Sequence, residues 1–188
     1  MKAQPKPPSA ERVTASRRIH EGRIVKLRED TVELASGRTA LREVVEHDEV
    51  VGVVPLDHNG KVILVRQYRL PAQEPLLEIP AGGVDRGESA EEAAQRELQE
   101  ETGYRAGRLE RLAGFFVSPG YCTEFIHVFL ARDLSESVIA ADDDENIALE
   151  RVTLAQAIRK VRVGEIKDGK SIVGLLLAAD HVVADRQR

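Results

Sequence analysis

Residues 82–104 read Gly82-Gly83-Val84-Asp85-Arg86-Gly87-Glu88-Ser89-Ala90-Glu91-Glu92-Ala93-Ala94-Gln95-Arg96-Glu97-Leu98-Gln99-Glu100-Glu101-Thr102-Gly103-Tyr104. Ser89 with Glu92 three residues on is a capping-box pattern, and it opens a run of strong helix formers. Gly103 stands where a left-handed C-terminal residue is wanted, so the spacing predicts a helix over residues 89–102. At about 100° per residue, Glu97, Glu100 and Glu101 fall within one arc of that helix. Ala90, Ala94 and Leu98 lie beside the arc and would seat the helix on a sheet.

Like charges at this spacing destabilise a helix by a few tenths of a kcal/mol per pair. A hard cation reverses the sign of that interaction. Mg²⁺ takes oxygen ligands and commonly shares its coordination sphere with substrate phosphates, which points to phosphate chemistry beside the glycines. Arg96 flanks the arc and can pair with a glutamate to hold its rotamer. A solvated acidic helix face is the commonplace alternative. Seven fixed glycine, arginine and glutamate positions, however, coincide by chance on the order of once in 10⁸ starts at average usage.

Composition sets the bounds. A chain of 188 residues suits one domain with an elaborated end. Its 42% hydrophobic and 31% charged residues read as globular. A net charge of −5 argues against a nucleic-acid partner. The single Cys122 excludes an intrachain disulfide and fits a reducing, cytoplasmic setting. No stretch reaches the length of a membrane span, and Met1–Ala10 lacks a signal-peptide apolar core. Residues 1–10 read as a disordered arm.

Along the chain, residues 11–48 read as a small antiparallel β unit, with alternating runs in Ile19–Glu33, a turn at Ser36-Gly37 and a strand over Thr39–Glu46. Such a unit is too small to be stable alone and must pack on its own domain or on a second copy. Residues 49–188 read as the main domain. Val50–Leu56 and Val62–Tyr68 flank the hairpin signal Asp57-His58-Asn59-Gly60. Pro71–Pro75 reads as a loop, Leu76–Ile79 as a strand, and Pro80-Ala81-Gly82-Gly83 as a glycine turn. Strands are expected over Arg108–Val117, Phe125–Ala131 and Leu149–Val152, with an acidic loop at Asp142–Asn146. Thr153 and Gln156 form a second capping box for a helix to Arg162, and Ser171–Val183 reads as a final apolar helix. A mixed sheet with helices on both faces, an α/β architecture, accounts for this order.

The pattern Gly82, five residues, Glu88, seven residues, Arg96-Glu97-Leu98-Gln99-Glu100-Glu101-Thr102-Gly103 resembles the signature of the Nudix hydrolases. It departs only at Tyr104, where that family has an aliphatic residue, and a tyrosine still fills an apolar slot. The resemblance implies the Nudix α/β/α sandwich with a mixed sheet. It also implies metal ligation by Glu97, Glu100, Glu101 and the Ala81 carbonyl, with Mg²⁺ as the ion and Mn²⁺ as the alternative.

Further residues resemble the ADP-ribose pyrophosphatase branch. Val65-Arg66-Gln67-Tyr68-Arg69 and Glu78-Ile79-Pro80-Ala81-Gly82 look like its substrate-binding stretches, with Arg66 or Arg69 on the diphosphate or terminal ribose and Glu78 helping to fix the arginine. Gly83, Ser118 and Gly120 are the other substrate-contact candidates, and Ser118-Pro119-Gly120 with Glu124 resembles that branch's pattern. Its acidic loop supplies a glutamate to the catalytic water, which aligns with Glu145 or, one residue earlier, Asp144. The resemblance thus implies Mg²⁺-dependent hydrolysis of ADP-ribose to AMP and ribose 5-phosphate by a homodimer whose N-terminal strands exchange. Another nucleoside diphosphate sugar, such as a GDP-sugar, or a non-catalytic ADP-ribose-binding module are the alternatives.

Overall fold

The computed structural model describes residues 10–137 and 147–186, with Arg186 by its backbone alone. The acidic loop Asp142–Asn146, with Asp144 and Glu145, lies outside the described residues, as do residues 1–9 of the arm. The chain divides into two compact units. The smaller comprises residues up to Asp48 with Phe116–Glu124, and the larger comprises Glu49–Phe115 and Phe125 onward.

In the smaller unit, β1 (Arg12–Glu21), β2 (Lys26–Glu33) and β3 (Thr39–Glu46) form an antiparallel sheet in chain order. The first strand begins seven residues ahead of the Ile19 expected from alternation. Its residues 12–18 are mostly polar, so no burial pattern marks them. All ten residues of β1 are exposed, including Val13 and Ile19. Phe116–Glu124 joins this unit through backbone bonds from Val45 N to Tyr121 O at 2.7 Å and from Thr123 N to Val45 O at 2.9 Å. Chain order alone does not announce that pairing.

In the larger unit, the Asp57–Gly60 turn joins β4 (Val50–Pro55) to β5 (Lys61–Arg69), but the expected hairpin stops at a single Leu56–Val62 bridge and the two strands go to different sheets. Asp57 accepts the Asn59 and Lys61 amides, and Gly60 takes a positive φ of 73°. With β6 (Glu74–Glu78), β7 (Ala81–Gly83), β8 (Tyr104–Phe116), β9 (Phe125–Glu136) and β10 (Ala148–Thr153), these strands form two sheets, ordered β7-β4-β9-β8 and β10-β5-β6. Pairing of β4 with β9 is parallel and of β4 with β7 antiparallel, so the sheet is mixed. The glycine turn expected at Ala81–Gly83 is a strand, with Val51 opposite Gly82. Pro80 and two glycines signal a turn, yet a free edge of β4 draws this backbone into the ladder.

Helix α1 (Ala90–Thr102) carries the expected capping box and ends on Gly103 at φ 72°. It buries Ala93, Ala94 and Leu98 against Val51, Val53, Phe129 and Ala131. On the other sheet face, α2 (Leu154–Arg162) and α3 (Gly169–Arg186) close a core of Val54, Leu64, Leu77, Ile79, Leu130 and Leu175. Helices on both faces of a mixed sheet make the α/β/α sandwich. Helix α3 starts two residues before the expected Ser171, because Asp168 caps it by accepting the Ser171 amide at 2.9 Å. Tyr104, expected in an apolar slot, is half-buried beneath the Arg151 guanidinium, 5.2 Å from its ring centre. Among the described residues no helix is long and apolar enough to cross a membrane.

The seating of α1 has a measurable consequence. Leu98 is fully buried, so Leu98→Ala should cost about 2–5 kcal/mol of stability. Ser89→Ala removes only the cap and should cost about 1 kcal/mol. Urea midpoints of the two variants check this order, and a smaller loss at Leu98 than at Ser89 would contradict the packing of α1.

Candidate active site

One cation, Arg96, gathers Glu97 and Glu100 of α1 with Glu88 of the preceding loop. Arg96 donates from Nε and Nη2 to the two carboxylate oxygens of Glu88, at 3.1 and 3.0 Å. Its Nη1 reaches Glu97 at 2.6 Å and Glu100 at 3.0 Å, and Nη2 also meets the Gly83 carbonyl at 2.9 Å. The guanidinium thus spans three carboxylates and the β7 backbone at once. Hydrogen bonding to Glu88, joined by Glu97 and Glu100 and opposed by burial, raises the Arg96 pKa above its ordinary value. The Arg96 bond, aided by the Asp85 amide, holds Glu88 below the usual carboxylate range.

Glu97 packs directly on Gly82. A Cβ at that glycine would sit 2.1 Å from the Glu97 carboxyl carbon. The glycine is therefore required for space; its φ lies outside the left-handed region. Glu101 is 9% exposed, and its Oε2 accepts the Ala81 amide at 3.1 Å. Helix α1 and strand β7 are in this way stitched together by Glu97, Glu101 and Arg96.

Arg69 and Arg66 diverge. Alternation along β5 puts them on opposite faces of the strand. Arg69 forms a two-pronged pair with Glu78, Nε to Oε1 and Nη2 to Oε2, both at 2.8 Å. That bond, with the charges of Glu101 and Asp168 behind it, raises the Arg69 pKa against the effect of burial. Glu78 is 1% exposed; burial pushes its pKa up, but Arg69 and Lys170 outweigh burial and leave it below its ordinary value. So enclosed a carboxylate is placed to orient Arg69. Arg66 instead bonds Glu150 of β10 at 2.7 Å. Gly83 gives its carbonyl to Arg96. Ser118 and Gly120 lie in the smaller unit, where Ser118 O accepts the amides of Tyr121 and Cys122.

Two kinds of residue escaped the sequence reading. Glu88 belongs to the quoted stretch, but its grip on Arg96 is visible only in three dimensions. Lys170 and Asp168 sit at the start of α3, where Lys170 bonds Glu78 and lies 3.1 Å from Asp168. The pattern Asp168-Gly169-Lys170-Ser171 before an apolar run carried the capping signal that could have drawn notice to them.

The donor set suits a divalent metal by its chemistry. Glu97, Glu100, Glu101 and the Ala81 carbonyl supply only hard oxygens, as Mg²⁺ and Mn²⁺ prefer. The space at Gly82 that a Cβ would fill is what lets the Glu97 carboxylate approach the backbone so closely. Among the described residues no three His, Cys, Asp or Glu side chains are already drawn to coordination distance. Arg96 bonds Glu97 and Glu100 of this set.

Comparison with known proteins agrees with this geometry. The Nudix domain profile matches residues 38–171, and a nucleoside diphosphate sugar hydrolase N-terminal domain matches residues 11–45. A methanol dehydrogenase activator of Bacillus methanolicus is 39% identical over 88% of this chain and 90% of its own length. An ADP-ribose pyrophosphatase of Bacillus subtilis is 40% identical over 86% of this chain and 88% of its own. A solved structure of an ADP compounds hydrolase shares the fold with a TM-score of 0.87 at 23% identity, covering 96% of this chain and 98% of that one. With its carboxylate helix, its sandwich and most of its length matched in this way, the chain belongs to the Nudix family of hydrolases.

Proposed function

We propose that this chain hydrolyses the pyrophosphate bond of ADP-ribose to AMP and ribose 5-phosphate, with Mg²⁺ as its metal ion and Mn²⁺ as a substitute. The observation that carries this reading is the gathering of Glu88, Glu97 and Glu100 around Arg96 against Gly83, with Glu101 on the Ala81 amide. A divalent ion held by Glu97, Glu100, Glu101 and the Ala81 carbonyl would neutralise the diphosphate and activate water. Arg96 holds the carboxylates in one place before the substrate arrives. Arg69 is the proposed substrate arginine, because its planar fork suits phosphate oxygens and Glu78 fixes its direction. Glu145 or Asp144 is the proposed base for the water. Arg66, Gly83, Ser118 and Gly120 remain proposed substrate contacts, carried by the family resemblance. The Bacillus subtilis relative supports ADP-ribose over other nucleoside diphosphate sugars. The exposed β1 supports a homodimer completed through the N-terminal strands.

Glu97→Gln and Glu101→Gln should each lower kcat roughly 10²–10³-fold while the far-ultraviolet circular dichroism is unchanged. Gly82→Ala should act in the same direction, since its methyl group displaces Glu97. Phosphomonoester release in Mg²⁺ and in EDTA checks all three, and near wild-type rates would remove the metal assignment. Among ADP-ribose, GDP-mannose and NADH, ADP-ribose should give a kcat/KM at least about tenfold above the others, a gap of roughly 1.4 kcal/mol in transition-state binding. A GDP-mannose preference would replace the substrate. Light scattering at micromolar concentration should return a dimer mass, whereas a monomer would overturn the proposed assembly.

A further inference from the structure

The first turn of α3 touches the strand that carries Glu78 at two consecutive residues. Lys170 bonds the Glu78 carboxylate at Oε2, the oxygen that also accepts Nη2 of Arg69. One residue on, the Ser171 hydroxyl accepts the Ile79 amide at 2.8 Å while donating to Asp168. Asp168 in turn stands 3.1 Å from the Lys170 ammonium. Lys170 is 12% exposed at its side chain and Ser171 is fully buried, so these bonds are shielded from competing water. Glu78 therefore has its side chain and its neighbouring backbone held by the same helical turn.

The geometry points to Lys170 as a positioning residue for substrate binding, acting through Glu78 to aim Arg69. This rests on the proposed contact between Arg69 and the diphosphate or terminal ribose. Glu78 takes the Nε–Nη2 edge of the guanidinium, so a substrate oxygen must meet the Nη1 side. The direction of that side is set by the rotation of the Glu78 carboxylate. Arg69 alone leaves this carboxylate one cation on its outer edge, and the pair can swing together. Lys170 holds Oε2 from the helix side and removes that freedom. Asp168 keeps the ammonium in place and caps α3 at the same time. A lysine placed only for stability would tie the helix to the sheet without affecting which way Arg69 points.

A binding cycle separates these roles. The dissociation constant for ADP-ribose is measured calorimetrically in EDTA for wild type, Lys170→Met, Arg69→Ala and the double variant. Arg69→Ala and Lys170→Met should each weaken binding about tenfold, and the double variant should be within about twofold of Arg69→Ala alone. In Mg²⁺, Lys170→Met should raise KM by a similar factor with kcat within about twofold of wild type. Lys170→Arg, which keeps the cation, should recover most of the affinity. Wild-type affinity in Lys170→Met beside a weakened Arg69→Ala would overturn the role of Lys170 and leave the Arg69 contact standing. Additive losses in the double variant would also overturn it. Wild-type affinity in Arg69→Ala would remove the Arg69 contact itself, and the positioning role with it. Should Lys170→Met not fold, Lys170→Gln enters the same cycle under the same criteria.

Discussion

One guanidinium organises the α1 face of the larger unit. Glu97, Glu100 and Glu101 share a single arc of α1, and Glu88 approaches from the preceding loop. Uncompensated, these carboxylates repel one another, by a few tenths of a kcal/mol per exposed pair and more where water is excluded. Arg96 answers with donors spread over Glu88, Glu97, Glu100 and the Gly83 carbonyl. Its position fixes the Glu97 rotamer, and that rotamer leaves no room for a side chain at residue 82. The glycine, the arginine and the glutamates of the motif are thus parts of one steric and electrostatic solution. A cation binding among these carboxylates would have to rearrange their bonds to Arg96.

Arg69, the proposed substrate arginine, depends on a different support. Arg69 stands at the end of β5, where a strand gives precise direction but little lateral hold. Glu78 on the adjacent β6 supplies that hold through a two-pronged pair. Burying a carboxylate so completely is costly unless every partner is in place. Helix α3 meets this demand from the opposite layer of the sandwich, with Lys170 on the side chain and Ser171 on the next amide. A feature distant from the motif in sequence, the capped start of α3, therefore supports the carboxylate that Arg69 pairs with.

What the sequence disclosed and what it hid divide along physical lines. Local signals are legible: the capping boxes at Ser89 and Thr153, the αL stop at Gly103 and the Asp57–Gly60 turn all depend on residues within a few positions of each other. The hairpin expected from that turn, by contrast, does not extend beyond Leu56–Val62. The seating of α1 on Ala94 and Leu98 followed from helical periodicity. Long-range pairing was not legible. Ala81–Gly83 looks like a turn until β4 offers it a ladder, and Phe116–Glu124 shows no local sign of pairing with Val45. The polar first strand lacked alternation because none of its residues is buried. At the site, the motif gave the carboxylates and the arginine. The direction of Arg96, the divergence of Arg66 from Arg69, and the part of Lys170 require knowing which side chains face each other across elements.

In the proposed site, Glu97, Glu100 and Glu101 hold a divalent ion beside the substrate diphosphate. Mn²⁺ binding, followed by electron paramagnetic resonance in titrations of wild type and Glu101→Gln with a non-hydrolysable ADP-ribose analogue, tests it most directly. Saturable Mn²⁺ binding in wild type, tightened by the analogue and lost or strongly weakened in Glu101→Gln, is the expected result. Equal Mn²⁺ binding in the two proteins would place the ion elsewhere and contradict the account.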